Sequence, residues 1–184
     1  MHEVRFHGRG GQGAVTSAEL LAQAAIDEGK AAQAFPSFGP ERRGAPVMAF
    51  ARVADEPILN RTVIQFPSAV IVLDPSLPAL VDVAQGIQAD GVVVLNSSKS
   101  PEQIRKETGI KVKLAVVDAN HIAREEIGRV ITNTTMLGAL LAAVSLVAPE
   151  RLEKQYEGRF GRLASKNINA FKRALKETVV LDAV

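Results

Sequence analysis

The sequence of 184 residues predicts a single domain, residues 1–184, with an α/β fold: a three-layer α/β/α sandwich around a mixed, mostly parallel sheet. Three observations support this class. Short runs of Val, Ile and Leu alternate with segments of helical periodicity. Aromatic residues contribute only 4% of the sequence, so aliphatic side chains must fill the core, as in buried parallel sheets. A glycine-rich turn joins the first predicted strand to the first predicted helix.

The first third of the chain contains most of its predicted strands. A strand over 4–7, a helix over 14–28 and a strand over 31–35 form a Rossmann-like opening βαβ unit. A loop with two glycines and three prolines spans 36–46 and precedes a strand over 47–53. A strand over 58–64 is predicted to pair with it as a hairpin, which makes the sheet mixed.

An alternation of strands and helices then resumes, and the last part of the chain is mainly helical. The predicted strands cover 69–73, 91–95 and 112–117, and the predicted helices cover 78–87, 101–108, 122–126, 135–148, 149–157 and 166–177.

Composition excludes several kinds of function. Lys and Arg number 22 against 20 acidic residues, with no run of more than two basic residues, so nucleic-acid binding is not expected. The chain has no Cys, hence no disulfide, no thiolate nucleophile and no Cys-ligated iron–sulfur cluster. It shows no signal-peptide pattern and no apolar stretch long enough to span a bilayer, so a cytoplasmic protein without membrane contact is expected.

The glycine-rich turn is the first candidate site. It consists of Gly8, Arg9, Gly10, Gly11, Gln12 and Gly13, in the G-x-G-x-x-G spacing between a strand and a helix. Bare backbone and the free N–H groups of a helix start favour a phosphate there. Nicotinamide dinucleotides also need an acid about 20 residues later, where Phe35, Pro36 and Ser37 stand. A tight turn without a ligand is the alternative.

Two further segments carry candidate residues. Ser37, Arg42 and Arg43 lie in a proline-restricted loop with cationic side chains that suit a phosphate, a carboxylate or an acidic partner, although a solvated surface loop has the same composition. Asn133 and Thr134 precede an apolar helix and are first of all predicted N-caps, with ligand contact as the alternative. Asp74, Asn96 and Asp118 follow predicted strands, where turn or cap roles are the more usual ones.

Three blocks resemble one family. The glycine turn, the loop from Ala34 to Val47 and the segment from Asn133 to Gly138 are together similar to the gamma subunit of 2-oxoacid:ferredoxin oxidoreductases, with the pyruvate branch (pyruvate synthase) the best match. The resemblance implies a complex that oxidatively decarboxylates a 2-oxoacid with thiamine diphosphate. It also implies that iron–sulfur clusters pass electrons to ferredoxin and that the acyl group goes to coenzyme A.

The resemblance further implies how this chain takes part. Thiamine diphosphate, Mg and the clusters are expected on partner alpha, beta and delta subunits, and coenzyme A at this gamma chain. The glycine turn, with Arg9 and Gln12, becomes the candidate for the coenzyme A phosphates. Ser37, Arg42 and Arg43 are expected either to contact coenzyme A or to lie at a subunit interface. No catalytic residue and no metal ligand is predicted.

Alternatives stay open at this point. The gamma chain can belong to an enzyme for branched-chain 2-oxoisovalerate or 2-oxoglutarate instead of pyruvate. A stand-alone dinucleotide-binding oxidoreductase and a purely structural subunit with an empty glycine turn are the other two hypotheses. As a subunit, the chain alone is expected to be inactive.

Overall fold

A seven-stranded sheet organises the computed structural model, which describes residues 1–37 and 44–184. The strand order is β2-β3-β1-β4-β5-β6-β7; β3 and β7 run antiparallel to their neighbours, and β1, β4, β5 and β6 are parallel. This confirms the predicted mixed, mostly parallel sheet. The strands are β1 (His2–Arg9), β2 (Ala31–Pro36), β3 (Pro46–Ala54), β4 (Ala69–Val72), β5 (Val92–Asn96), β6 (Lys113–Val117) and β7 (Val179–Leu181).

Helices cover the two faces of the sheet unequally. They are α1 (Ala14–Asp27), α2 (Pro101–Thr108), α3 (Ala119–Glu126), α4 (Asn133–Ala143), α5 (Pro149–Phe160) and α6 (Ala164–Glu177), with single 3-10 turns at Leu77–Ala79 and Gly161–Leu163. The larger apolar core joins one face to α1, α3, α4, α5 and α6. The smaller core joins the other face to α2 and the coil around residues 77–87. Among the residues described, no helix has the length and apolar character needed to cross a membrane.

The centre of the larger layer is α4, which is buried on nearly all sides. Its Thr134 Oγ1 donates a hydrogen bond to Asn167 Oδ1 of α6 at 2.9 Å. At Gly138 the two helices approach so closely that an added Cβ would clash with the Phe171 carbonyl oxygen. The apolar sequence of this helix therefore reflects the core of this chain and not a surface covered by another chain.

The opening βαβ unit differs from the prediction. Strand β3 lies between β1 and β2 and pairs antiparallel with both. The two strands joined by α1, β1 and β2, are therefore parallel but not adjacent. A Rossmann-like unit, in which they would pair directly, is not formed. The helix packs across this enlarged unit and buries Ala18, Leu21 and Ala25 against it.

The predicted hairpin of residues 58–64 with β3 is also wrong, because both edges of β3 are taken by β1 and β2. The segment is coil, held by the fully buried Arg52, whose guanidinium donates to the carbonyl oxygens of Asn60 and Thr62 at 3.3 and 2.6 Å. The Glu3 carboxylate accepts from Arg52 Nε at 2.7 Å.

The predicted helix over 78–87 is reduced to the 3-10 turn at Leu77–Ala79. Arg5 takes the carbonyl oxygens of Val83 and Gln85, which a continuing helix would use for its own hydrogen bonds. The sequence analysis also missed the edge strand β7, which pairs antiparallel with β6.

Two glycine variants test the packing of α4 on α6. We expect Gly138→Ala to destabilise the protein by about 2 kcal/mol, because its methyl group overlaps the Phe171 backbone. Gly158→Ala, in α5 with open space around it, should stabilise by about 0.5–1 kcal/mol through helix propensity alone. Urea unfolding measures both, and a stabilising Gly138→Ala would contradict the close contact.

Candidate functional site

The glycine turn closes the carboxyl end of β1 and starts α1. Gly11 and Gly13 have positive φ angles of 94° and 82°, a backbone that favours glycine. Gly13 is the N-cap of α1, and a Cβ there would lie 3.0 Å from Asn133 Nδ2. Because Asn133 starts α4, the turn brings the beginnings of two helices together, and with them two segments that the sequence analysis singled out separately.

The side chains of Arg9 and Gln12 tie this turn to the end of β4. Gln12 Oε1 accepts from the Arg9 backbone N–H at 2.7 Å, and Gln12 Nε2 donates to Asp74 Oδ2 at 2.7 Å. Arg9 Nε lies 3.2 Å from the same carboxylate oxygen, and its two terminal nitrogens donate to Gly44 O and Ser76 Oγ. Both residues thus stabilise the turn, and their contact with coenzyme A stays a prediction.

Asp74 is the common acceptor of this cluster. Burial alone would raise its pKa, but hydrogen bonds from Ser76 and Gln12 and the charge of Arg9 together lower it. The carboxylate is therefore ionised and receives donors from both sides of the β1–β4 pair. Sequence analysis placed Asp74 at a strand end and favoured a turn role, and the structure puts it in contact with two of the predicted site residues.

The start of α1 keeps its backbone donors free. The N–H groups of Gly11, Gly13 and Ala14 find no acceptor within the described residues, and α1 has no side-chain cap. Ser100 forms a capping box for α2 and Asp118 caps α3, whereas α4, α5 and α6, like α1, have no side-chain cap in the part of the chain that the structure describes. The start of α1 differs from these three in that its cap residue is a glycine. Uncapped N–H groups and the helix dipole favour a bound anion.

Asn133 faces this helix start. The residue is 96% buried, yet its Oδ1 has no partner among the described residues, and its Nδ2 donates no hydrogen bond there either. The prediction that Asn133 or Thr134 caps α4 is wrong: the cap position is Thr132, and both predicted residues lie inside the helix. The Thr134 hydroxyl donates its hydrogen bond to Asn167. The Asn133 amide, in contrast, lies beside Gly13.

The double-arginine loop is only partly described. Arg42 and Arg43 lie outside the described residues. Ser37 is half-buried, and its N–H donates to Met48 O at 2.9 Å. On the other flank, Ala45 O accepts from the Gly10 N–H at 3.0 Å, which places that end of the loop against the glycine turn.

A cleft of about 500 Å³ extends from Pro75 along the carboxyl ends of β5 and β6. Its floor is Asn96, which donates to Leu73 O and Asn120 Oδ1 and accepts from the Ala119 N–H. Strand ends of this kind gather ligands in α/β sheets, but the Asn96 amide is fully bonded within the fold and one Asp118 oxygen caps α3 by accepting from the His121 N–H. No group of three or more potential metal ligands occurs among residues 1–37 and 44–184.

The sequence and the fold both match known proteins. The family model for pyruvate ferredoxin/flavodoxin oxidoreductase matches residues 3–177. The chain belongs to this family. It is 50% identical to the common subunit gamma of the pyruvate/ketoisovalerate oxidoreductases of Pyrococcus abyssi, over 99% of this chain and 100% of that one. It is 49% identical to pyruvate synthase subunit PorC of Methanothermobacter thermautotrophicus, over 96% of each chain.

A solved structure agrees with these relatives. The pyruvate oxidoreductase subunit PORC of Thermotoga maritima superposes with a TM-score of 0.88 at 40% identity, covering 98% of both chains. Membership of the pyruvate ferredoxin/flavodoxin oxidoreductase family confirms the resemblance predicted from the three sequence blocks, the α/β fold, and the prediction of a gamma-type subunit of an oxidoreductase.

The Asp74 cluster predicts that removing the Asp74 charge lowers the free energy of unfolding more than removing an exposed charge does. Asp74→Ala should lower the free energy of unfolding by about 2 kcal/mol, because the part-buried donors of Arg9 and Gln12 lose their ionised acceptor. Lys99→Ala removes an ion pair whose side chains are each 52% exposed and should cost less than about 0.5 kcal/mol. Urea unfolding at neutral pH measures both, and equal small losses would contradict the role of Asp74.

His7, next to the turn, predicts a pH dependence. Burial first, and the neighbouring Arg5 second, lower its pKa from 6.5 to about 4. Between pH 6.5 and pH 4 the unfolded chain binds a proton that the folded chain does not, so stability falls as the pH falls. We expect this residue to contribute about 2–3 kcal/mol of the loss between pH 7 and pH 4.5.

The measurement compares wild type with His7→Gln, which has no group that titrates in this range. Unfolding free energies at pH 7 and pH 4.5 should differ less in the variant than in wild type. An unchanged difference would show that His7 is protonated in the folded protein.

Proposed function

We propose that this chain is the coenzyme A-binding gamma subunit of a pyruvate:ferredoxin oxidoreductase, in which partner subunits carry out the oxidative decarboxylation of pyruvate to acetyl-CoA. One observation carries the proposal: the uncapped start of α1, where the free N–H groups of Gly11, Gly13 and Ala14 meet the unpaired amide of Asn133. We further propose that residues 1–184 form a single gamma domain and that the complex is cytoplasmic.

The diphosphate of coenzyme A suits these donors. A phosphate oxygen above Gly11 would receive backbone N–H groups at the positive end of α1. The Asn133 Nδ2 supplies a further donor from α4. Arg9 pairs with Asp74 beside the turn, and its positive charge offsets the repulsion that the Asp74 carboxylate would exert on the anion.

The dinucleotide alternative loses support from the sheet order. A ribose-binding acid belongs at the end of the strand beside β1, but β3 occupies that place and β2 ends in Phe35 and Pro36. Binding of a nicotinamide dinucleotide is therefore disfavoured by position as well as by residue type.

The redox groups are proposed to lie on other subunits. Without Cys, the chain offers none of the thiolates that hold iron–sulfur clusters. We assign thiamine diphosphate, Mg and the clusters to alpha, beta and delta partners and electron transfer to ferredoxin. The described residues of this chain would bind and orient coenzyme A, and the isolated chain should not oxidise a 2-oxoacid.

A second 2-oxoacid is favoured by one comparison. The Pyrococcus abyssi relative is named as common to pyruvate and ketoisovalerate oxidoreductases. A gamma chain that binds coenzyme A and leaves the 2-oxoacid pocket to another subunit can serve both enzymes. We therefore place branched-chain 2-oxoisovalerate second to pyruvate, and 2-oxoglutarate behind both.

The test uses a charge placed at the open glycine. No described residue lies within 4 Å of a Cβ added at Gly11, and the side chains of Gly11→Asp and Gly11→Asn have the same shape and share the same backbone strain. In the intact complex we expect Gly11→Asp to raise the KM for coenzyme A about tenfold over Gly11→Asn, because the carboxylate repels the diphosphate.

Steady-state ferredoxin reduction with varied coenzyme A and saturating pyruvate measures this difference. The KM for pyruvate should be the same in the two variants, which is the internal control. Equal KM values for coenzyme A in the Asp and Asn variants would show that the diphosphate lies elsewhere.

A further inference from the structure

A second cavity lies on the other face of the sheet, under β1 and β3. It holds about 390 Å³, and the coil of residues 63–66 and 82–86 forms its opposite wall. No helix of the described residues covers this part of the sheet, in contrast to the face packed by α1 and α4. We refer to it as the Arg5–His7 cavity.

Its floor contains two polar side chains with unused atoms. Arg5 and His7 are each only 7% exposed. The Arg5 terminal nitrogen donates to the carbonyl oxygens of Val83 and Gln85 at 3.0 and 2.6 Å, but Arg5 Nε and His7 Nε2 have no partner among the described residues. Buried polar atoms left unpaired are costly and are rarely retained without a use.

The charge of Arg5 is not balanced by an ion pair. No carboxylate of the described residues lies within 4.0 Å of its guanidinium. Asp82 lines the same cavity and acts on Arg5 through its charge without an ion pair, and one oxygen of Asp82 accepts from the Ala84 N–H. Burial lowers the pKa of Arg5, and the charge of Asp82 offsets part of that effect.

The rim of the cavity is apolar and exposed. Met48, Val63 and Phe66 line it with 37%, 55% and 64% of their surface accessible, and Leu80 follows nearby at 62%. The flank of the double-arginine loop meets this rim, because Ser37 bonds to Met48. A group of exposed large apolar side chains around a polar centre is typical of a protein–protein contact.

We propose that the Arg5–His7 cavity docks a segment of a partner subunit of the oxidoreductase, whose apolar side chains cover Met48, Val63 and Phe66 and whose carboxylate reaches Arg5. Charge complementarity selects this occupant, since the floor carries an unpaired cation and a neutral imidazole that can donate a hydrogen bond. The inference rests on the chain acting inside a complex, as proposed above, but not on coenzyme A binding.

Two matched substitutions test the surface. Val63→Asp places a charge on the rim, and Ile26→Asp places one on α1 of the opposite face, at 55% and 54% exposure. With partner subunits co-expressed and an affinity tag on this chain, we expect Val63→Asp to reduce the recovered partners at least tenfold and Ile26→Asp to leave them unchanged. Undiminished recovery of the partners with both variants would overturn the proposal. The same loss of partners with both variants would overturn it as well.

The carboxylate is tested at Arg5. Arg5→Met keeps an unbranched apolar stem but removes the guanidinium and its charge, and we expect it to weaken assembly at least tenfold. If this variant does not fold, hydrogen exchange on the wild-type protein decides: amides of residues 63–66 and 82–86 should exchange more slowly in the complex than in the isolated chain, and unchanged exchange would overturn the proposal.

A second copy of this chain is the competing occupant. Light scattering of the isolated wild-type chain should show a monomer, and a dimer that Val63→Asp dissociates would overturn the assignment to a partner subunit. Failure of the coenzyme A proposal is recognised separately, because it would appear as equal KM values for coenzyme A in the Gly11→Asp and Gly11→Asn complexes, whatever the recovery of partner subunits with Val63→Asp.

Discussion

The hydrogen-bond cluster at Asp74 is the constraint on which the candidate site depends. One carboxylate oxygen receives the Gln12 amide and the Arg9 guanidinium, and so fixes the glycine turn of β1 against the end of β4. The turn in turn sets where α1 begins, and Gly13 allows α4 to begin beside it. An ionised acceptor suits this task, since hydrogen bonds to charged groups contribute more stability than neutral ones.

This arrangement frees the backbone for a ligand. Side-chain caps hold the starts of two other helices, Ser100 for α2 and Asp118 for α3, while α4, α5 and α6 start without one within residues 1–37 and 44–184. At α1 the cap is a glycine, Arg9 and Gln12 bond to Asp74, and the Asn133 amide beside the cap has no partner among the described residues. The donors are thus positioned before any anion arrives, so binding requires little reordering.

Local signals in the sequence predicted what local interactions determine. Pro101 in the first turn and the glycine after Thr108 placed α2 correctly, and the apolar runs located β4, β5 and β6. The misplaced elements depend on distant partners. Arg5 and Arg52 draw carbonyl oxygens out of the segments predicted as a helix and a strand. The insertion of β3 beside β1 is likewise a choice of strand pairing that hydrophobic periodicity does not encode.

The candidate site shows the same division. Spacing identified the glycine turn, and the three sequence blocks identified the family, but nothing local linked Gln12 to Asp74, 62 positions away, or Gly13 to Asn133. Those contacts are tertiary. They fix the backbone N–H groups at the start of α1 in one arrangement, which the motif alone does not determine. Among the described residues, two of the places with unpaired buried polar atoms, Asn133 at the turn and the Arg5–His7 floor, lie on opposite faces of the sheet. A chain that belongs to a multi-subunit enzyme family and leaves both incomplete has room for a small anionic ligand on one face and a protein partner on the other, without competition between them.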